Sequence, residues 1–323
     1  SKCMSANDGT PQDVLRFERD VLGCRVLCLT EHIEYMKDAE YHHALDRVEA
    51  EAAAGCVALY GAEWSKAPAH HTNFYAAERG VFDRLRAILL TEEHLTRVFE
   101  RMKAELPPGE AVAIRHYHGH NGMPFGVAGE RRFETYDPAV EPAMEAMQTR
   151  GTIILDPAAS DGRLFPCDFL NANARVGLVG GSDHSRGKGV NRFCLTGFWL
   201  PELTPRAVLE AIRNRGTVAC ANGRVALWAT AEGRPMGSEV QAKGQVHIAA
   251  QASGAHSLRR LGLIRDGQVA QWAEVTGAAA RVEWFDTPPS PGYHWYAVAA
   301  EAASAYGALT AVAVASPFFV AFS

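Results

Sequence analysis

The sequence lacks any apolar run of 18 or more residues, so no segment reads as a membrane-spanning helix. It has no C-x-x-C pair, and its seven cysteines are scattered. Cys28, Cys56, Cys194 and Cys220 fall inside apolar stretches. They read as small buried hydrophobes in a reducing compartment, not as a disulfide framework. A cytoplasmic location is the expectation, with a cleaved signal peptide left open because the chain starts at Ser1 without a Met. A basic excess is missing: 32 Lys and Arg stand against 37 Asp and Glu, and the net charge of −5 gives no reason to expect nucleic acid as a partner. Internal repeats and low-complexity segments are missing. Two familiar motifs are absent too. Residues 181–188 have five residues between their glycines and no Ser or Thr after Lys188, so they do not form a phosphate-binding P-loop. The stretch Gly180, Gly181, Ser182, Asp183 is not G-x-S-x-G, so a nucleophile elbow has no support.

What is present is an ordinary globular balance over 323 residues, 47% hydrophobic and 21% charged. One large domain or two fit that length. Thr10 and Pro11 read as an N-cap and first helical residue, with the helix running to Leu22 and stopped by Gly23. Helical periodicity predicts further helices over residues 37–54, 82–90, 92–105 (with Thr91 as N-cap) and 204–215. Residues 138–148 fit a strand or a helix equally.

Between these helices lie short apolar strands ending in acids or imidazoles. Residues 25–32 end in Glu31 and His32, residues 56–64 reach Glu63, and His71 opens residues 71–76. Residues 111–118 end in His116 and His118. Residues 176–185 run V-G-L-V-G-G-S-D-H-S, ending in Asp183 and His184. Several strands ending in metal-ligand residue types at one end is the pattern of a parallel α/β barrel with a metal site. From about Gly223 the texture changes to short alternating segments, with Asp266 and Gly267 as a hairpin turn between two of them. A small all-β sandwich over residues 224–323 is the expectation, behind a first domain of residues 1–223.

The order Asp8, His32, Glu63, His71, His116, Asp183, His184 resembles the polymerase-and-histidinol-phosphatase (PHP) family. That family carries H-x-H-S, an S-D-G turn, T-D-H, G-x-E, two separated histidines and G-S-D-x-H. Here Asn7, Asp8 and Gly9 match the S-D-G turn, and Thr30, Glu31 and His32 match T-D-H. Gly61, Ala62 and Glu63 match G-x-E, and Gly181, Ser182, Asp183 and His184 match the last motif. The stretch R-P-M-G-S-E at residues 234–239 resembles the branch with an appended C-terminal β-domain. Two departures stand out. The H-x-H pair would fall immediately before Ser1, so it is expected in a preceding segment. His184 adjoins Asp183 directly, and Ser185 takes the family's usual histidine position.

The resemblance implies a distorted (β/α)7 PHP-type barrel followed by the sandwich, and a metal-dependent hydrolase. It implies two or three divalent ions (Mn, Zn or Fe) and a metal-bridging hydroxide acting on a small phosphate ester. Glu63 would bridge two ions, with His71 and His116 completing the second. Asp8, His32 and His184 would hold the third, and Asp183 would help hold the first. Glu63, Asp183 and His184 would be the catalytic residues. Phosphate oxygens want cationic partners, and Arg115, Arg186 and Lys188 lie close to the motifs in sequence; with His118 and His120 (the latter open to a merely solvated reading) they are the substrate-binding candidates. His118 competes with His116 for the ligand position, and His70 with His71. The alternatives are a related cluster cleaving a non-phosphate bond such as an amide, and an inactive binding module. His247, His256 and His294 are expected to be structural.

Overall fold

A computed structural model describes residues 10–66, 71–116, 135–148, 151–152, 166–181, 194–304 and 310–323. Thr10 caps α1 (Pro11–Arg16). Its hydroxyl accepts from the Asp13 amide, and the Asp13 carboxylate accepts from the Thr10 amide, which closes a capping box. A π-turn over Phe17–Val21 carries the chain to Leu22, and Gly23 reverses it at φ +61°. Three more helices follow in the first half: α2 (Asp38–Ala52), α3 (Arg79–Thr91) and α4 (Leu95–Glu105). Thr91 does not cap α4. It ends α3, where its hydroxyl donates back to the Ala87 carbonyl, and His94 takes the N-cap position.

The first-half strands are β1 (Val26–Leu27), β2 (Val57–Ala58), β3 (Tyr60–Trp64), β4 (Thr72–Ala76), β5 (Ala111–Arg115), β6 (Ala143–Gln148), β7 (Gly151–Thr152) and β8 (Gly177–Gly180). The stretch open to either reading, residues 138–148, thus contains a strand. β1 and β2 pair parallel as a sheet of their own. The other six form one sheet in the order β3-β4-β5-β6-β7, with β8 beside β6.

The expected distorted (β/α)7 barrel is not what the chain forms. Neighbouring strands in such a barrel run parallel, but β3 with β4 and β4 with β5 are antiparallel. The physical reason is the connections. The stretch from Trp64 to Thr72 is too short for the crossover of a dozen or more residues that parallel neighbours need. After β4, two helices in succession, α3 and α4, bring the chain back so that β5 again opposes β4. Among the described residues, only β5 with β6 and β6 with β8 pair parallel in this sheet. Among the described residues, short helices are outweighed by sheet throughout.

The rest comprises α5 (Pro166–Asn171), β9 (Cys194–Phe198), α6 (Pro205–Arg213), β10 (Thr217–Ala221), β11 (Val225–Ala231), β12 (Arg234–Pro235), β13 (Glu239–Ala242), β14 (Val246–Gly254), β15 (Leu258–Arg265), β16 (Gln268–Glu274), β17 (Ala279–Asp286), β18 (Gly292–Ala303), β19 (Thr310–Ala315) and β20 (Phe318–Phe322). An eight-stranded sheet runs β13-β20-β18-β19-β10-β9, with β15 on β18 and β16 on β15. A four-stranded sheet runs β12-β11-β14-β17. Residues of both sheets share one core, including Leu227, Ile248, Trp284, Tyr296, Val298 and Phe318. Asp266 and Gly267 turn β15 into β16 with φ of +51° and +84°, the two left-handed residues a type I′ hairpin requires.

The eight-stranded sheet crosses the expected division at residue 224, because β9 and β10 belong to it. It also touches the first sheet. The Ser316 hydroxyl accepts from the Leu178 amide, and the Thr217 hydroxyl donates to the Leu178 carbonyl, both at 2.9 Å. These two fully buried hydroxyls satisfy backbone groups of β8 that would otherwise be orphaned.

Candidate functional site

Side chains alternate across a strand, so β3, β4 and β5 each have two distinct faces. Ala62, Trp64, Phe74, Ala76, Ala111 and Ala113 face the core built with α3 and α4. Glu63, Asn73, Tyr75, Val112, Ile114 and His116 therefore project from the opposite face. Gly61 shares that face and lets the neighbouring chain approach. A Cβ there would sit 2.6 Å from Cys28 Sγ and 2.8 Å from Thr30 Cγ2.

Register then gathers the chemistry at one level. His32 forms a parallel bridge with Glu63, whose amide donates to the Glu31 carbonyl at 2.9 Å. The His116 amide donates to the His71 carbonyl at 3.0 Å. The result is a carboxylate facing three imidazoles. Glu63, 3% exposed, accepts at Oε1 from His71 Nδ1 at 2.7 Å. Its Oε2 makes no hydrogen bond. His116 Nε2 stands 3.6 Å from that oxygen and His32 Nε2 stands 3.9 Å away. The His32 and His71 rings meet edge to face at 5.7 Å.

Partners on the far side of two rings fix their orientation. Glu145 Oε2 bonds His116 Nδ1 at 3.0 Å, and the Ser65 hydroxyl bonds His32 Nδ1 at 2.7 Å. Ser65 is itself held by Glu34, through both hydroxyl and amide. Each ring thus turns its Nε2 toward Glu63. Glu145 needs room, which Gly181 supplies: a Cβ there would lie 2.8 Å from Glu145 Oε1.

The electrostatics are tightly linked. Burial pushes the Glu63 carboxyl up, but His116, through its charge and its close approach, the His71 hydrogen bond and the charge on His32 outweigh it. They hold Glu63 well below the usual carboxylate range. Burial pulls the His116 imidazole down, but Glu145 and Glu63 outweigh that and push it well above its ordinary value.

The structure therefore brings His32, Glu63, His71 and His116 together. Asp8, His118, His120, Asp183, His184, Arg186 and Lys188 lie outside the described residues. Arg115 is placed away from the cluster, on the face opposite His116. It is 1% exposed and forms a two-pronged pair with Glu141, Nε to Oε1 at 2.9 Å and Nη2 to Oε2 at 2.8 Å. Its assignment to substrate is corrected accordingly: alternation along β5 sends adjacent side chains to opposite faces. Glu145, Ser65 and Asn73 were not singled out by sequence. The signal for Glu145 was a lone acid inside a wholly buried strand whose other residues, up to the terminal Gln148, are apolar. Among the described residues, no three His, Cys, Asp or Glu side chains close a metal site by themselves.

No protein-family model matches the chain, and no curated protein matches it. Three solved structures resemble parts of it. One is a Bifidobacterium adolescentis protein provisionally named a metal-dependent phosphoesterase, with 13% identity over 65% of this chain and 92% of that one, at a TM-score of 0.35. The others are fibronectin(III)-like modules of Clostridium thermocellum CbhA and a Jonesia denitrificans lytic polysaccharide monooxygenase. The modules show 22% identity over 31% of this chain and 93% of theirs, at a TM-score of 0.19. The monooxygenase shows 15% identity over 26% of this chain and 58% of that one, at a TM-score of 0.20. This chain thus spans little more than half the monooxygenase. At these scores none of the likenesses carries an argument about this chain.

Proposed function

We propose that the Glu63 cluster is part of a divalent-metal centre and that the protein is a metal-dependent hydrolase acting on phosphate esters. One observation carries this reading. A buried carboxylate oxygen without a hydrogen bond faces two imidazole Nε2 atoms at 3.6 and 3.9 Å. Those separations are too long for hydrogen bonds. They suit donors that share one cation, since ligands about 2.1 Å from an ion sit roughly 3–4 Å apart.

Glu63, His32, His71 and His116 would hold the ions, together with Asp8, Asp183 and His184 as the family resemblance implies. Imidazole and carboxylate donors without thiolate suit Zn, Mn or Fe. A divalent ion there would supply Lewis acidity and lower the pKa of a bound water to about 7. Glu145 and Ser65 would hold the His116 and His32 rings in place, as carboxylate and hydroxyl partners do behind ligating histidines. In the reaction a water oxygen bonds to phosphorus, the bond from phosphorus to the alcohol oxygen breaks, and the alcohol leaves with a proton from that water.

The test is elemental analysis of the purified protein together with hydrolysis of p-nitrophenyl phosphate, for the native chain and Glu63→Gln. The expected result is bound divalent metal and activity in the native protein, with both reduced in the variant. Full metal content and full activity in a folded Glu63→Gln protein would reject the reading.

A further inference from the structure

The described residues line a half-open cavity of about 490 Å³. That is within the size range of pockets that hold small organic ligands. Cys28, Leu59, Ile114, Val179 and Phe198 supply an apolar wall. Its lining includes Asn73 and Glu145, each one residue removed from the Glu63 cluster: Asn73 is the cross-strand neighbour of Glu63, and Glu145 holds His116 from behind. The lining also includes Glu18 and Arg25, just before β1, and Arg224, just before β11.

Two features distinguish this space from imperfect packing. Protein interiors are close-packed and leave few voids larger than a water molecule. Asn73, 5% exposed, also lines the cavity with an Oδ1 that makes no hydrogen bond. A buried acceptor without a donor points to one supplied from outside the chain; the hydroxyl of the released alcohol, not its alkyl chain, would supply it.

We infer that the cavity holds the apolar part of the substrate, so that esters of alkyl or aryl alcohols are preferred to esters of polyols. This rests on the reading of the Glu63 cluster as the centre of hydrolysis. The apolar stretch of Cys28, Leu59, Ile114, Val179 and Phe198 offers an alkyl group burial, and those side chains offer a polyol no strong hydrogen bond to replace lost water. Each methylene added to the alcohol is expected to raise kcat/KM by about threefold to fourfold until the cavity is full.

The experiment has two arms. In the first, the metal-replete full chain is assayed on n-propyl, n-hexyl and n-octyl phosphate and on glycerol phosphate. In the second, 1-octanol binding is measured by calorimetry on chelator-treated protein, where no hydrolysis occurs. Val179→Phe and Cys28→Phe narrow the cavity from two walls, and thermal unfolding verifies that each variant is folded. The expected results are a kcat/KM that climbs with chain length, octanol binding to the native chain, and loss of both in at least one folded variant. A profile indifferent to chain length, a preference for glycerol phosphate, or no octanol binding would overturn the inference. Octanol binding that is lost in the variants, with no phosphate ester hydrolysed, would support the cavity as an apolar site and overturn the phosphoesterase reading instead.

Discussion

The sheet around Glu63 and the two sheets behind it bury very different things. The first sheet and its flanks sequester Glu31, Glu63, Arg115, His116, Glu141 and Glu145, each at most 6% exposed. The core shared by the eight- and four-stranded sheets is aliphatic and aromatic. The buried polar side chains around it include Asp286, held by the Tyr296 hydroxyl at 2.8 Å and by Arg265 at 2.6 Å, and the fully buried Thr217 and Ser316. Burying charge is expensive, and replacing a buried ion pair with apolar groups often stabilises a fold. A region that concentrates buried carboxylates and imidazoles is therefore not built for stability alone. The contrast supports the proposed chemistry in the first sheet, with the other two sheets as scaffold.

Substitutions can break this comparison, and the largest effect is expected at Arg115. Arg115→Met leaves Glu141 buried and unpaired and should cost about 3–5 kcal/mol in denaturant unfolding. A loss under about 1 kcal/mol would show that the pair is solvated. Glu63→Gln should lower kcat for p-nitrophenyl phosphate at least about a hundredfold, corresponding to several kcal/mol of transition-state stabilisation. Its unfolding free energy should fall far less than that of Arg115→Met. Glu145→Gln keeps the shape but weakens the hold on His116. Metal affinity, measured by competition with a chelator, should drop about 10- to 100-fold, and unchanged affinity would remove Glu145 from the site. Tyr296→Phe, in the scaffold, loses one hydrogen bond to Asp286. It should cost about 1 kcal/mol of stability with metal content intact.

Much of the local structure was readable because its causes are local. Thr10 and Thr204 cap helices through their hydroxyls, and Asp266 with Gly267 turns a hairpin, all from residue chemistry within four positions. The gathering of His32, Glu63, His71 and His116 followed from their places at strand ends, which register aligned. The barrel did not follow, because strand direction depends on connection length and helix stacking, not on strand composition. Arg115 was assigned by its nearness to His116 in sequence, although a strand sends such neighbours apart. Glu145 escaped because an acid in an apolar strand says nothing about its partner until β5 and β6 are paired. Asn73 and the cavity are tertiary facts with no linear signature.

The central claim is that a cation belongs beside Glu63 Oε2. Crystallography of metal-replete full-length protein, with anomalous data collected at the absorption edge of the metal found by elemental analysis, tests it most directly. The account predicts an anomalous peak within coordinating distance of Glu63 Oε2 and His116 Nε2. A metal-soaked crystal with Glu63 well ordered, hydrogen-bonded only to protein and water, and without such a peak would contradict it.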